Sequence, residues 1–154
     1  MTISYLTEVK NVKSGSTLSK YTLTLDPAGN PTRVDSLGTA GEAYKYDAAD
    51  RLTEVCHKAS GVACTKNNDP YVRFTYDNVG NRLTEKRSNN PTTTYIYDYA
   101  DELVVRGATV FTYDRNGQET AAGTRTFTWN VANQVASSTQ AGSTIEVVRD
   151  LVEL

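Results

Sequence analysis

His57 is the single histidine of this 154-residue chain, and it adjoins Cys56, one of two cysteines. A nucleophile and its base must converge within hydrogen-bond reach. Neighbours on an extended chain point to opposite faces, so Cys56-His57 makes no dyad, and His57 reads as a solvated loop residue. The turns of the type Asp77-Asn-Val-Gly80-Asn81 invite comparison with calcium loops. Such loops present oxygens at alternate positions, which Asp77, Asn78 and Asn81 do not, and the carboxylate has a turn to form. Zinc lacks ligands, since Cys56, Cys64 and His57 are the only Cys and His side chains. The expectation is therefore no catalytic residue, no metal and no cofactor.

Cys56 and Cys64 bracket Gly61, and two states fit their spacing. An intra-loop disulfide would staple a long hairpin loop. Two free thiols would suit a reducing compartment. Among the aromatic residues, Tyr99 stands apart: it lies between Asp98 and Ala100, inside a turn, and is the candidate for an exposed ligand contact.

The elements that carry these residues follow from an internal repeat. Six segments share one plan: Leu23-Thr-Leu-Asp26, Tyr44-Lys-Tyr-Asp47, Phe74-Thr-Tyr-Asp77, Tyr95-Ile-Tyr-Asp98, Phe111-Thr-Tyr-Asp114 and Phe127-Thr-Trp-Asn130. Each has two large apolar residues flanking one other residue, so the two project from one face of a strand. Asp26, Asp47, Asp77, Asp98, Asp114 and Asn130 suit the first position of a type I turn, where the side chain accepts a backbone N–H. Three residues on stand Gly29, Asp50, Gly80, Asp101, Gly117 and Asn133. These types tolerate the left-handed backbone that the bulge after a type I hairpin turn requires.

The turn-opening residues are spaced by 21, 30, 21, 16 and 16 positions. Sixteen residues accommodate two short strands and their connections. The longest interval holds the cysteine loop and Asn67-Asn-Asp-Pro70, and reads as one hairpin with an insertion. The fold expected is all-β: a curved antiparallel sheet of consecutive hairpins, a solenoid-like meander of roughly a dozen strands forming part of a shell. Residues 1–20 read as one or two further strands around Lys13-Ser-Gly-Ser16, and 21–138 as the hairpin array. In 139–154, Ile145, Val148 and Val152 share a helical face while Ile145 and Val147 alternate, so strand and short helix both fit.

Composition narrows the function. Sixteen basic against 18 acidic residues leave no basic stripe for a nucleic-acid backbone. The apolar runs are too short to insert in a bilayer. The first ten residues lack the features of a signal peptide, so if the protein acts outside the cell its export signal is expected elsewhere.

The repeats resemble the YD repeats of bacterial RHS proteins and animal teneurins, most closely in Phe74-Thr-Tyr-Asp-Asn-Val-Gly-Asn-Arg-Leu-Thr-Glu85 and Tyr46-Asp-Ala-Ala-Asp-Arg-Leu-Thr-Glu54. Leu25 and Trp129 stand where this repeat usually has Tyr. The resemblance implies a β-sheet that spirals into a hollow shell, which encloses a toxic segment in bacterial toxins and serves adhesion in teneurins. It implies a non-enzymatic scaffold, a fragment or short relative of an extracellular or cell-surface protein. Its partners would be the remainder of a larger shell, or other copies through edge strands. The alternative is a free-standing carbohydrate- or cell-surface-binding module, since exposed rings stack on sugars.

Overall fold

The computed structural model describes residues 4–59, 64 and 69–147. The chain divides into two compact units, Met1–Thr92 and Thr93–Leu154. In the first, seven strands follow one another: β1 (Glu8–Lys13), β2 (Ser16–Leu25), β3 (Pro31–Ser36), β4 (Gly41–Tyr46), β5 (Leu52–Ala59), β6 (Tyr71–Tyr76) and β7 (Arg82–Arg87). Each pairs antiparallel with the next. The second unit repeats the plan with β8 (Thr93–Tyr97), β9 (Leu103–Arg106), β10 (Thr109–Tyr113), β11 (Glu119–Ala122), β12 (Arg125–Trp129), β13 (Val135–Gln140) and β14 (Ser143–Glu146). These strands also pair antiparallel in chain order. The all-β meander of hairpins read from the sequence is what the chain forms.

A register shift precedes each of the six motif turns. It falls between Thr24 and Leu25, Lys45 and Tyr46, Thr75 and Tyr76, Ile96 and Tyr97, Thr112 and Tyr113, and Thr128 and Trp129. One extra residue on the returning strand bends the pair at each site, which is how a sheet acquires curvature. At the opposite ends of the strands the connections are tighter. Ser14-Gly15 and Ala141-Gly142 turn with φ of 50° and 80°, and 50° and 79°, respectively.

The two faces of the sheet differ. In β10, Phe111 and Tyr113 share a face and Thr112 points the other way. On the equivalent face within each unit hydroxyls pair across strands: Thr75 with Thr84 in the first, and Thr112 with Thr120, Thr128 with Ser137 and Thr139 with Thr144 in the second, at 2.6–2.8 Å. On the ring-bearing face of the first unit arginines lie over rings, with Arg51 4.8 Å from the Tyr76 centroid and Arg82 5.2 Å from that of Phe74. Burial is shallow. Among the described residues the buried apolar side chains are Ala43, Cys56, Val72, Tyr95 and Phe111.

At the ends of the chain, β2 runs without interruption through position 20, so the first strands are continuous with the repeats. Ser143–Glu146 is a strand whose Ile145 pairs with Ser138. Val148 and Val152 lie outside the described residues, as do Gly61, Asn67 and Asn68.

Candidate functional site

The chemistry of this chain concentrates in the row of motif turns. In each, the turn-opening backbone N–H donates to the carbonyl four residues on: Asp26 to Asn30, Asp47 to Arg51, Asp77 to Asn81, Asp98 to Glu102, Asp114 to Gln118 and Asn130 to Gln134, at 2.9–3.0 Å. The Oδ1 atom of the same residue accepts the backbone N–H of that fourth residue in all six turns, at 2.8–3.1 Å. Gly29, Asp50, Gly80, Asp101, Gly117 and Asn133 have φ between 58° and 110°. The side-chain oxygen thus replaces water for donors that the bulge leaves outside the ladder.

These bonds hold charge. The backbone N–H of Asn30 keeps the Asp26 carboxyl below its ordinary range, and that of Arg51 does so for Asp47. At Asp77, partial desolvation opposes the shift, but the N–H groups of Asn81, Gly80 and Val79 outweigh it and lower the pKa. A carboxylate that accepts several N–H bonds favours its ionised form.

Two sets of contacts that the sequence does not reveal link one turn to the next. In the first, the ring before a turn donates to the carbonyl that lies five residues after the preceding turn-opener. Tyr46 Oη donates to Pro31 at 3.0 Å, Tyr76 Oη to Leu52 at 2.7 Å, and Tyr113 Oη to Leu103 at 2.9 Å. Trp129 does the same with its indole N–H, to Glu119 at 2.8 Å. In the second, the residue after the bulge reaches the following turn. Asn30 Nδ2 donates to Asp50 Oδ1 at 2.8 Å, an Arg51 guanidinium nitrogen to the Asp77 carbonyl at 2.6 Å, and Gln118 Nε2 to Asn133 Oδ1 at 2.7 Å. Glu102 fills the same place with its carboxylate beside Gly117.

His57 requires a correction. It lies in β5, not in a loop, because the strand extends to Ala59 before the insertion begins. Its Nδ1 is 2.6 Å from Glu42 Oε1, and Glu42 Oε2 accepts the Tyr44 hydroxyl at 2.6 Å. The Tyr44 and His57 contacts lower the Glu42 pKa, while burial and this carboxylate push Tyr44 up to about 12. Cys56 sits on the opposite face, fully buried and joined by a disulfide to Cys64, which packs on Ala43 and Cys56. Beside it Glu54, 7 % exposed, is held by Lys45 at 2.8 Å and by Arg73. Tyr99 is fully exposed at the tip of its turn, as is Val131 at the matching place two turns later.

The profile of the Teneurin YD-shell family matches residues 7–149, nearly the whole chain. The protein belongs to that family. A curated relative of this YD-shell chain is the double-stranded DNA deaminase toxin A of Burkholderia cenocepacia (strain H111), 33% identical over 128 residues. That match spans 75% of this chain and 9% of the toxin. Solved structures with the same fold include a Photorhabdus luminescens Tc holotoxin pore, with a TM-score of 0.65 and 16% identity, covering 90% of this chain and 8% of that one. A TcdB2-TccC3-Cdc42 structure gives a TM-score of 0.63 at 20% identity, covering 89% of this chain and 8% of that one. The YD-shell chain thus spans less than a tenth of the length of each of these proteins.

Proposed function

We propose that this chain is a non-enzymatic section of wall in a larger RHS-type shell, of the kind that encloses a toxic segment in a secreted or cell-surface protein. The observation that carries the reading is where the polar chemistry goes. Turn carboxylates such as Asp47, ring donors such as Tyr76 and post-bulge residues such as Arg51 bond to the chain's own backbone. A surface built this way supplies rigidity and shape, not a reacting group. The names of the toxins to which it is similar support the setting.

The partner on this reading is further wall. Among the described residues, strands β1 and β14 each pair on one side, with β2 and β13, and every residue of both is exposed. Open strand edges recruit other strands. Light scattering over a range of concentrations tests the proposal: mass that climbs, or a discrete oligomer, is expected. A monomer at every concentration would contradict it and return attention to an independent binding module, for which loss of glycan-array binding in Tyr99→Ala would be the signature.

A further inference from the structure

Within a unit, every pair of consecutive motif turns carries the same rung. The donors Tyr46 and Tyr76 belong to the first unit, and Tyr113 and Trp129 to the second. The separation along the chain varies, at 15, 24, 10 and 10 residues, while the spatial relationship does not. Local sequence therefore does not create the rung, and the geometry of the stacked hairpins does.

The acceptor is as regular as the donor. Pro31, Leu52, Leu103 and Glu119 are the residues that pair first after the register shift, opposite Leu25, Tyr46, Tyr97 and Tyr113. A bulge disrupts the ladder locally and leaves a carbonyl in need of a donor. The next hairpin brings one, carried on the rim of a ring half-buried between the strands.

We infer that within each unit the motif ring couples repeats: one hairpin's bulge is completed by the hairpin that follows, and the defining property of the position is a hydrogen-bond donor at the far rim, not the phenol as such. Trp129 is on this account a competent sixth member and not a degenerate one, because its indole N–H reaches the same carbonyl position. The inference concerns folding within the wall and stands whether or not the chain forms part of a shell.

Hydrogen–deuterium exchange on the full chain tests it. Trp129→Phe keeps a ring but removes the donor, and amides of β11 and of the Asp114 turn are expected to exchange about five-fold faster. Trp129→Tyr restores a donor of the type the other rungs use, and slow exchange should return. Tyr113→Phe, the loss of one oxygen, provides a second reading at β9 and the Asp98 turn, with the same local acceleration. If Phe and Tyr at position 129 exchange alike, or Tyr113→Phe leaves β9 unchanged, the ring acts by packing alone and the inference falls.

Discussion

The hydroxyl of Tyr76 donates to the carbonyl of Leu52 at 2.7 Å, across 24 residues of chain and the whole cysteine insertion. Arg51, the neighbour of Leu52, lies over the same Tyr76 ring and bonds the carbonyl of Asp77 at 2.6 Å. Two consecutive residues at the start of one returning strand, Arg51 just before it and Leu52 its first, therefore grip the tyrosine and aspartate of the next repeat. A single-layered sheet has little buried volume to hold it together. Here repeat-to-repeat polar contacts take up part of that task, each contributing about 1 kcal/mol net.

The same contacts predict a sharp contrast between two tyrosines. Tyr46 is half-buried and donates to Pro31, whereas Tyr99 is fully exposed in its turn. Truncating a well-packed ring costs about 2–4 kcal/mol, and a surface change typically less than about 0.5. In urea denaturation Tyr46→Ala should lower the midpoint strongly and Tyr99→Ala should leave it in place. Equal shifts would mean that the motif rings do not carry the sheet.

Acid should loosen the row of turns. Asp26, Asp47 and Asp77 have folded pKa values below their ordinary ones. The unfolded state therefore binds protons first, and the stability these groups confer is complete above the unfolded carboxyl range, near about 4. It is lost as pH falls through the folded values. Asp77→Asn keeps an acceptor, as Asn130 does in the sixth turn, and should flatten the acid limb of a Tm-versus-pH curve at small cost near neutrality. Asp77→Ala removes the acceptor of the Val79, Gly80 and Asn81 N–H groups and should lower the Tm at pH 7 by more than Asp77→Asn does.

The all-β fold was legible because its determinants are local. Paired aromatics such as Phe74 and Tyr76 mark a strand face, and Asp77 with Gly80 marks where the chain must reverse. What joins the hairpins was not legible, because Tyr76 and Leu52 meet only once the register of two strands and the length of an insertion are known. The position of His57 departs from the sequence expectation for a related reason. The sequence from Cys56 to Cys64 reads as one loop, yet cross-strand partners Glu42 and Pro70 keep β5 extended past His57. The polar residue after each bulge, such as Asn30 or Gln118, offered a signal that could have been used, since all six copies carry one.

Gly117 combines a positive φ of 74° with a close neighbour, the Glu102 carboxylate, 2.8 Å from where a Cβ would stand. Gly117→Ala should cost about 1–2 kcal/mol, from left-handed strain and crowding together. In a Glu102→Ala background only the crowding is relieved, so thermal unfolding should show a smaller but persistent loss. A loss that vanishes in that background would show that the backbone strain is negligible.

The disulfide closes a short loop on a buried anchor, with Cys56 fully shielded from solvent. Loop closure of this length stabilises by about 2–3 kcal/mol. Cys64→Ser should accordingly lower the unfolding free energy by that amount. Because Cys56 is inaccessible, reductant must attack the partly buried Cys64 sulfur, and reduction of the native protein should be slower than in urea. Fast reduction under native conditions, followed by mass spectrometry of alkylated thiols, would count against this shielding.

Glu54 is the buried charge among the described residues, and its two cations reach it from both neighbouring strands, Lys45 in β4 and Arg73 in β6. Desolvation opposes ionisation of this carboxyl, yet the two cations prevail and its pKa is lowered. Its stabilisation is therefore present above the unfolded glutamate pKa and fades as pH falls through the folded one. Removing the centre of such a cluster leaves two cations that are themselves about half exposed and can turn to water. The cost of Glu54→Ala should for that reason stay near about 2 kcal/mol at pH 7, below the 3–5 of a fully buried pair. Lys45→Met leaves Arg73 to neutralise Glu54 and should cost less than half as much. Chemical denaturation of the three variants at pH 7 and pH 3 checks both claims, and the differences among them should shrink at the lower pH. Differences that persist unchanged in acid would mean that Glu54 acts through its packing and not through its charge.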